Sequence, residues 1–248
     1  MIESFIEQTN KADTKEEVYH LFQRALKNLG YDRVLYTYVT DQPKLNQKAE
    51  FGIVTSYPEE WVQYYNQSNF MNYDPIARET FSTTRAFTWE SIYKKTELTK
   101  IQSKIMHEAD DIGILSGIGV GIHEGLNEVT GIGFANSSKR ETPNKDMLSI
   151  LNFFAYQFHS AYSTRIKVKL NNFQIILSER EREILHWMSE GKSDTVIADL
   201  LFIQHTTVRF HIQNIFKKLA VNNKTMAVVK ALKLDLIKPT FVQAPYQG

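Results

Sequence analysis

Residues 14–29 place Val18, Leu21, Phe22, Ala25, Leu26 and Leu29 on one side of a helix, and Gly30 closes it. The pattern then changes period. Residues 33–39, RVLYTYV, carry the β-branched and aromatic side chains of a strand, and residues 51–54 suit a second. Residues 40–49, with Pro43, read as a polar loop. Pro58 can start a helix on which Trp61 and Tyr65 lie one turn apart, and Asp74-Pro75 opens another helical stretch. Residues 87–92 surround Trp89. Helical spacing returns over 98–112, through Ile101, Ile105, Ala109 and Ile112. Two apolar, glycine-rich runs, 115–122 and 129–135, flank the polar HEGLNE and predict a hairpin. Residues 145–164 form a long helix with Leu148, Leu151, Phe154, Ala155 and Phe158 inward. This order predicts an α/β unit, an α-β-α sandwich in which helices pack on an antiparallel sheet.

The segment RIKVKLNNFQ, 165–174, breaks the periodicity, so a linker is placed at 166–174 between a first domain, 1–165, and a second, 175–238. The second domain reads as four short helices. Ser178 and Glu181 form a capping box, and Ile184, Leu185 and Met188 follow at helical spacing. Gly191 sits where a helix must stop. Ser193 can cap the next helix, with Val196, Ile197, Leu200 and Leu201 on its apolar face. In the third, Val208, Ile212, Ile215 and Leu219 share a buried face, while Arg209, Gln213 and Lys217 line a polar one. Two short helices followed by a helix with a polar face follow the logic of a helix-turn-helix, and arginine and glutamine match guanine and adenine edges in a major groove. A solvated face on an ordinary bundle would show the same pattern, so the pattern alone leaves those two readings level. The tail 239–248 has no structure signal.

Bulk numbers narrow the class. Of 248 residues, 42% are hydrophobic and 23% charged, as in ordinary globular proteins. No apolar run is long enough to cross a membrane, and the polar, acidic N-terminus is not a signal peptide. The absence of cysteine excludes disulfides, thiolate metal sites and thiol catalysis, and fits the cytoplasm. The net charge of +1 says little, but residues 177–238 hold ten Lys and Arg against seven Asp and Glu. A surplus of three is modest, and one copy would hold DNA weakly at physiological salt, which favours a dimer. The seven histidines lack metal-ligand spacing. Gly117, Gly119 and Gly121 alternate without the following helix a dinucleotide fingerprint needs, and no GxSxG or HExxH motif exists. An enzyme is not expected, nor a metal or cofactor.

The second domain closely resembles the DNA-binding domain of LuxR-type regulators. The resemblance rests on Ser178, Arg180 and Glu181; Arg182 and Glu183; Gly191, Lys192 and Ser193; Ile197 and Ala198; Thr207, Val208 and His211; Lys218 and Leu219; and Asn223, Lys224, Ala227 and Val228, in register over about sixty residues. Two positions depart: Gln204 replaces the usual serine cap, and Asp235 a common glycine. In the first domain Tyr57, Trp61, Tyr65, Asp74 and Trp89 admit two readings, an aromatic core with a helix-capping aspartate or a ligand pocket whose few polar groups orient a small molecule. Their spacing resembles the acyl-homoserine-lactone-binding domain of LuxR-type receptors. The resemblance implies that Trp61 donates to a lactone carbonyl, Asp74 accepts from the amide N–H, and Tyr57 donates to the acyl 1-oxo group. It also implies that Tyr65 and Trp89 wall the lactone, that Ile76 lies in the pocket, and that Gly117 gives the ligand close approach to the sheet. Gly133 stands where many relatives have serine or threonine, and Gly119 where some have threonine, which would leave a roomier pocket suited to a medium or long acyl chain.

The resemblance thus implies a cytoplasmic quorum-sensing transcription factor whose ligand is an N-acyl homoserine lactone. Its other partners would be a second copy of the chain, palindromic double-stranded DNA and RNA polymerase, with no membrane. Arg209 and Gln213 would reach base edges; Thr207, Lys192, Lys217 and Lys224, with Lys218 beside Lys217, would meet phosphates. Three rivals remain: a solo regulator answering another small molecule or none, a response regulator sharing the second domain, and a lactone-processing enzyme. The aromatic block at 57–89 argues against the second, and the lack of a nucleophile or metal site against the third.

Overall fold

The computed structural model describes residues 1–45, 47–95, 97–114, 116–124, 128–138, 142–170 and 175–237. Two compact units, Met1–Leu170 and Asn171–Gly248, divide the chain.

The first unit opens with α1 (Ile2–Lys11), α2 (Lys15–Asn28), β1 (Arg33–Tyr38) and β2 (Glu50–Thr55). Then come α3 (Glu59–Gln67), α4 (Pro75–Ser82), β3 (Phe87–Thr88), α5 (Trp89–Lys95) and α6 (Lys100–Asp111). It closes with β4 (Ser116–Glu124), β5 (Glu128–Asn136) and α7 (Lys145–Leu170). The strands form one antiparallel sheet in the order β2-β1-β5-β4-β3. Side chains alternate across it. Val34, Tyr36, Ile118, Val120, Ile132 and Phe134 join a core with Phe5 of α1, Phe22 and Leu26 of α2, and Leu151, Phe154 and Phe158 of α7. Phe22 stacks on Phe158 with ring centroids 4.1 Å apart. Leu35 and Ala135 belong to a separate cluster with Phe51, Tyr57, Trp61, Tyr65, Phe87, Trp89 and Ile105, carried by β2, β3, α3, α5 and α6. The expected α/β class and sandwich are found.

The alternating glycines belong to this second face. A Cβ on Gly117 would lie 2.5 Å from the Trp89 ring, and one on Gly119 2.4 Å from the Phe87 ring. On Gly121 it would lie 2.1 Å from the Thr80 carbonyl oxygen of α4. Glycine at every second position lets rings and a helix backbone lie directly on the sheet.

Three features differ from expectation. The polar N-terminus forms α1, because Phe5 packs against Phe154 at 4.7 Å between centroids. Helix α5 follows β3 with no loop between them. And α7 runs through 166–170, assigned above to the linker, where two lysines and a leucine are good helix formers. Just before that extension, Arg165 donates to the carbonyls of Thr9 (2.9 Å) and Ala12 (2.8 Å), satisfying acceptors at the C-terminal end of α1. The remainder of the expected linker, 171–174, and the tail 239–248 lie outside the described residues.

The second unit is all α: α8 (Glu179–Ser189), α9 (Asp194–Leu200), α10 (His205–Leu219) and α11 (Lys224–Lys233). Ser178, Ser193 and Asn223 each accept a backbone N–H at the start of α8, α9 and α11. Gln204 makes no such bond to α10. Gly191 has φ +73°, as its chain-stopping place requires, and Asp235, at φ 53°, also takes the left-handed conformation. Ile184, Leu185, Ile197, Val208, Ile212, Ile215, Leu219, Ala227 and Ala231 close the core. Among the described residues no helix is long and apolar enough to cross a membrane.

Candidate functional site

In the second unit, α10 buries Val208, Ile212, Ile215 and Leu219 and exposes Arg209, Gln213 and Lys217, as its spacing predicts. Among the described residues no ion pair engages Arg209, Lys192 or Lys217, so their charges face solvent. Lys218 and Lys224 are different. The Lys218 ammonium meets Glu181 at 2.6 Å, and Lys224 pairs with Asp194 at the start of α9. Both lysines therefore spend their charge within the domain, a role that periodicity could not reveal because each partner lies on another helix. Thr207 sits in the first turn of α10, half-buried.

In the first unit, a cavity of about 40 Å³ lies between the second face of the sheet and the helices above it. Of the eight expected ligand residues, Tyr65, Asp74, Ile76, Trp89 and Gly133 line it. Missed were Leu35, Thr37 and Val39 of β1 and the loop after it, Phe51 of β2, and Thr80 of α4. The period-2 alternation of residues 33–39 already held that signal. A second cavity of about 210 Å³ shares Trp89 as a wall and adds Tyr93, Met106, Ala109, Asp110 and Gly117.

Asp74 is the N-cap of α4, with Pro75 in the first helical position. Its Oδ1 accepts the Ile76 N–H at 2.7 Å, and its Oδ2 accepts the Tyr65 hydroxyl at 2.7 Å. Asp74 therefore caps a helix and also lines the cavity. The residue is only part-buried overall, but protein surrounds the carboxylate. Burial pushes its pKa up, against the hydrogen bonds from Tyr65, Ile76 and Ala77. Burial, reinforced by the nearby Asp74 charge, likewise pushes the Tyr57 and Tyr65 hydroxyls upward, so both remain neutral donors. Tyr65 also stacks on Phe51, centroids 3.7 Å apart, and Trp61 packs edge-on against Tyr65 at 5.9 Å. Trp61 and Tyr57 are not among the residues that line the first cavity.

Among the described residues of this aromatic cluster, two buried donors have no protein partner: the Tyr57 hydroxyl and the Trp89 indole N–H, on residues 8% and 9% exposed. A buried, unpaired donor costs about 1–3 kcal/mol, so each is poised for an acceptor. The Tyr57 oxygen lies 3.5 Å from where a Cβ on Gly133 would stand.

One expectation about glycine is qualified and one is corrected. The space above Gly117 holds the Trp89 ring, and Gly117 lines the second cavity beside that ring. The space above Gly119 holds Phe87, so the missing side chain there does not enlarge the cavity. Only Gly133 faces the cavity with ordinary van der Waals room around it.

Comparison with known proteins agrees with both halves. Residues 14–162 match the family described as "Autoinducer binding domain", and residues 175–231 match "Bacterial regulatory proteins, luxR family". The chain is 30% identical over 227 residues to the transcriptional activator protein ExpR of Dickeya dadantii (strain 3937), covering 87% of this chain and 89% of that one. It is similar to the crystal structure of Escherichia coli SdiA, with a TM-score of 0.79, 25% identity, and 96% and 98% of the two chains covered. It is also similar to SdiA in complex with octanoyl-rac-glycerol, with a TM-score of 0.76, 26% identity, and 94% and 93% covered.

Proposed function

This chain belongs to the LuxR family of bacterial regulatory proteins, a transcription regulator with an autoinducer-binding and a DNA-binding domain and not an enzyme, and we propose that the small molecule it answers is an N-acyl homoserine lactone. The observation that carries this reading is the polar inventory of the cavity region. Two unpaired buried donors, Tyr57 O–H and Trp89 N–H, accompany the buried carboxylate acceptor of Asp74 among apolar walls. An acylated amino lactone offers the complement: two carbonyls and one amide N–H. Each Asp74 oxygen has a second lone pair, so it can accept that N–H without releasing Tyr65 or Ile76. In this reading Tyr57 meets the acyl carbonyl. Trp61 stays the donor to the lactone carbonyl, reached by a shift of the side chains in front of it, and Trp89 becomes a further donor. Tyr65 and Ile76 form walls.

The cavity is far smaller than the roughly 300–1,000 Å³ of ordinary ligand pockets. Binding must therefore separate core side chains and make the ligand part of the core. A ligand buried this way stabilises the folded receptor in proportion to the logarithm of its concentration. The DNA-binding unit, as a dimer, would then set two α10 helices in successive major grooves of a palindromic site. Arg209 and Gln213 would read base edges, with Thr207, Lys192 and Lys217 at phosphates, and the bound regulator would recruit RNA polymerase in the cytoplasm.

The complex of SdiA with an acylglycerol supports a second reading, in which a hydroxyl donates to Asp74 in place of an amide. Thermal unfolding against acyl homoserine lactones and acylglycerols of graded chain length separates the two. A lactone-selective rise in midpoint is expected, cut in Asp74→Asn, which keeps the helix cap but loses the charge. The affinity loss should be about 10- to 100-fold, as for a charge-assisted bond. A rise with acylglycerols alone would replace the lactone reading, and no rise with either class would sink both.

A further inference from the structure

The buried stripe of α10 fixes what its opposite side presents. At 100° per residue, the direction opposite Val208, Ile212, Ile215 and Leu219 belongs to Thr206, Phe210, Gln213 and Lys217. Three of these four are polar. The fourth is a phenylalanine left 62% exposed. A lone exposed apolar residue is ordinary on a protein surface, but this one stands mid-face, next to Arg209 and one turn before Gln213. Its one close ring neighbour among the described residues is His211, 5.7 Å between centroids. Phe202, also exposed, lies in the turn before α10 and off this face.

A major groove carries one apolar landmark, the 5-methyl group of thymine, and phenylalanine is among the side chains that contact it. Polar base edges would leave the ring facing groups that prefer water. We propose that Phe210 is a specificity-determining residue that packs on a thymine methyl, beside the base edges read by Arg209 and Gln213. The half-site then carries a thymine within one or two base pairs of the Arg209 contact. This rests on α10 being the base-reading helix.

The test begins with in vitro selection of duplexes by the full-length protein from a randomised library, with any stabilising lactone present. Each thymine of the selected site is then replaced singly by uracil, which removes only the methyl group. For the unmodified protein one thymine per half-site should lose about fourfold in affinity, the effect of burying one methyl-sized group. In Phe210→Ala, whose melting midpoint should match the parent because the ring is exposed, that difference should vanish while the other positions keep theirs. A uracil scan with no sensitive position, or equal sensitivity in Phe210→Ala, would overturn the assignment. Failure to enrich any sequence would instead remove the base-reading role of α10, and this proposal with it.

Discussion

Asp74 and Glu181 are both acidic residues at the start of a helix, and their surroundings treat the charge in opposite ways. Glu181, 3% exposed, closes the capping box of α8: its carboxylate accepts the Ser178 N–H at 2.7 Å and the Lys218 ammonium at 2.6 Å. Burial pushes its pKa up, but the Lys218 and Ser178 contacts prevail and hold it below the ordinary carboxylate range. Asp74 has as many hydrogen bonds but only neutral donors, and burial wins there. The difference is the cation. Neutral donors solvate a buried carboxylate incompletely; an ammonium neutralises it. In the DNA-binding unit the charge is settled within the protein, which gives a rigid frame for α10. In the ligand-binding unit it is left with acceptor capacity, next to two donors that have no partner.

The sharpest way to break this comparison is to remove the cation. Lys218→Met should cost the second unit about 2 kcal/mol, allowing for the part-exposed lysine. Urea unfolding followed by the fluorescence of Trp187, in a background where Trp61 and Trp89 are phenylalanine, would read it. A loss near zero would mean Lys218 is an ordinary surface charge.

Acid should separate the units next. Glu181 has a depressed folded pKa, so its contribution is present above about 4.3 and is lost as pH falls through its lowered value. Asp74 has a raised one, so the first unit gains stability as pH falls from that raised value toward about 3.9. Between neutral pH and pH 4, denaturation of a Trp187→Phe protein, which reports Trp61 and Trp89, should therefore shift to higher urea from this group. The midpoint for the second unit should hold and then fall below pH 4. Parallel movement of both would contradict the contrast.

The smallest effect sharpens the view of the second unit as a set of capped helices. Gln204→Ser should supply the missing N-cap of α10 and raise stability by about 1 kcal/mol. No gain would show that the first turn of α10 is already held by its packing.

How much of this was legible beforehand differs between the units. The second was almost wholly so, because its helices are marked locally: Ser178 with Glu181, Ser193 and Gly191 each cap or stop a helix within a few residues of themselves. The first unit's strands and long helices were readable from period, but α1 was not, because its buried aromatic anchor, Phe5, finds its partner in Phe154 far along the chain. The likeness of residues 57–89 to a receptor pocket picked out Tyr65, Asp74 and Trp89, which do meet. It could not tell that Trp89 and Phe87 occupy the places above Gly117 and Gly119.

Sequence by itself determined the two-unit order, the antiparallel hairpin, the buried and polar faces of α10, and the family. Each is written in short-range spacing, where period and capping chemistry act over one or two turns. Tertiary structure alone decided which charges are spent and which are available. Lys218 and Lys224 are neutralised by acids on other helices, Asp74 is buried without a cation, and the Tyr57 and Trp89 donors are enclosed without acceptors. Desolvation and ion pairing depend on which distant groups the fold brings within a few ångströms, and no local pattern in the chain carries that distance.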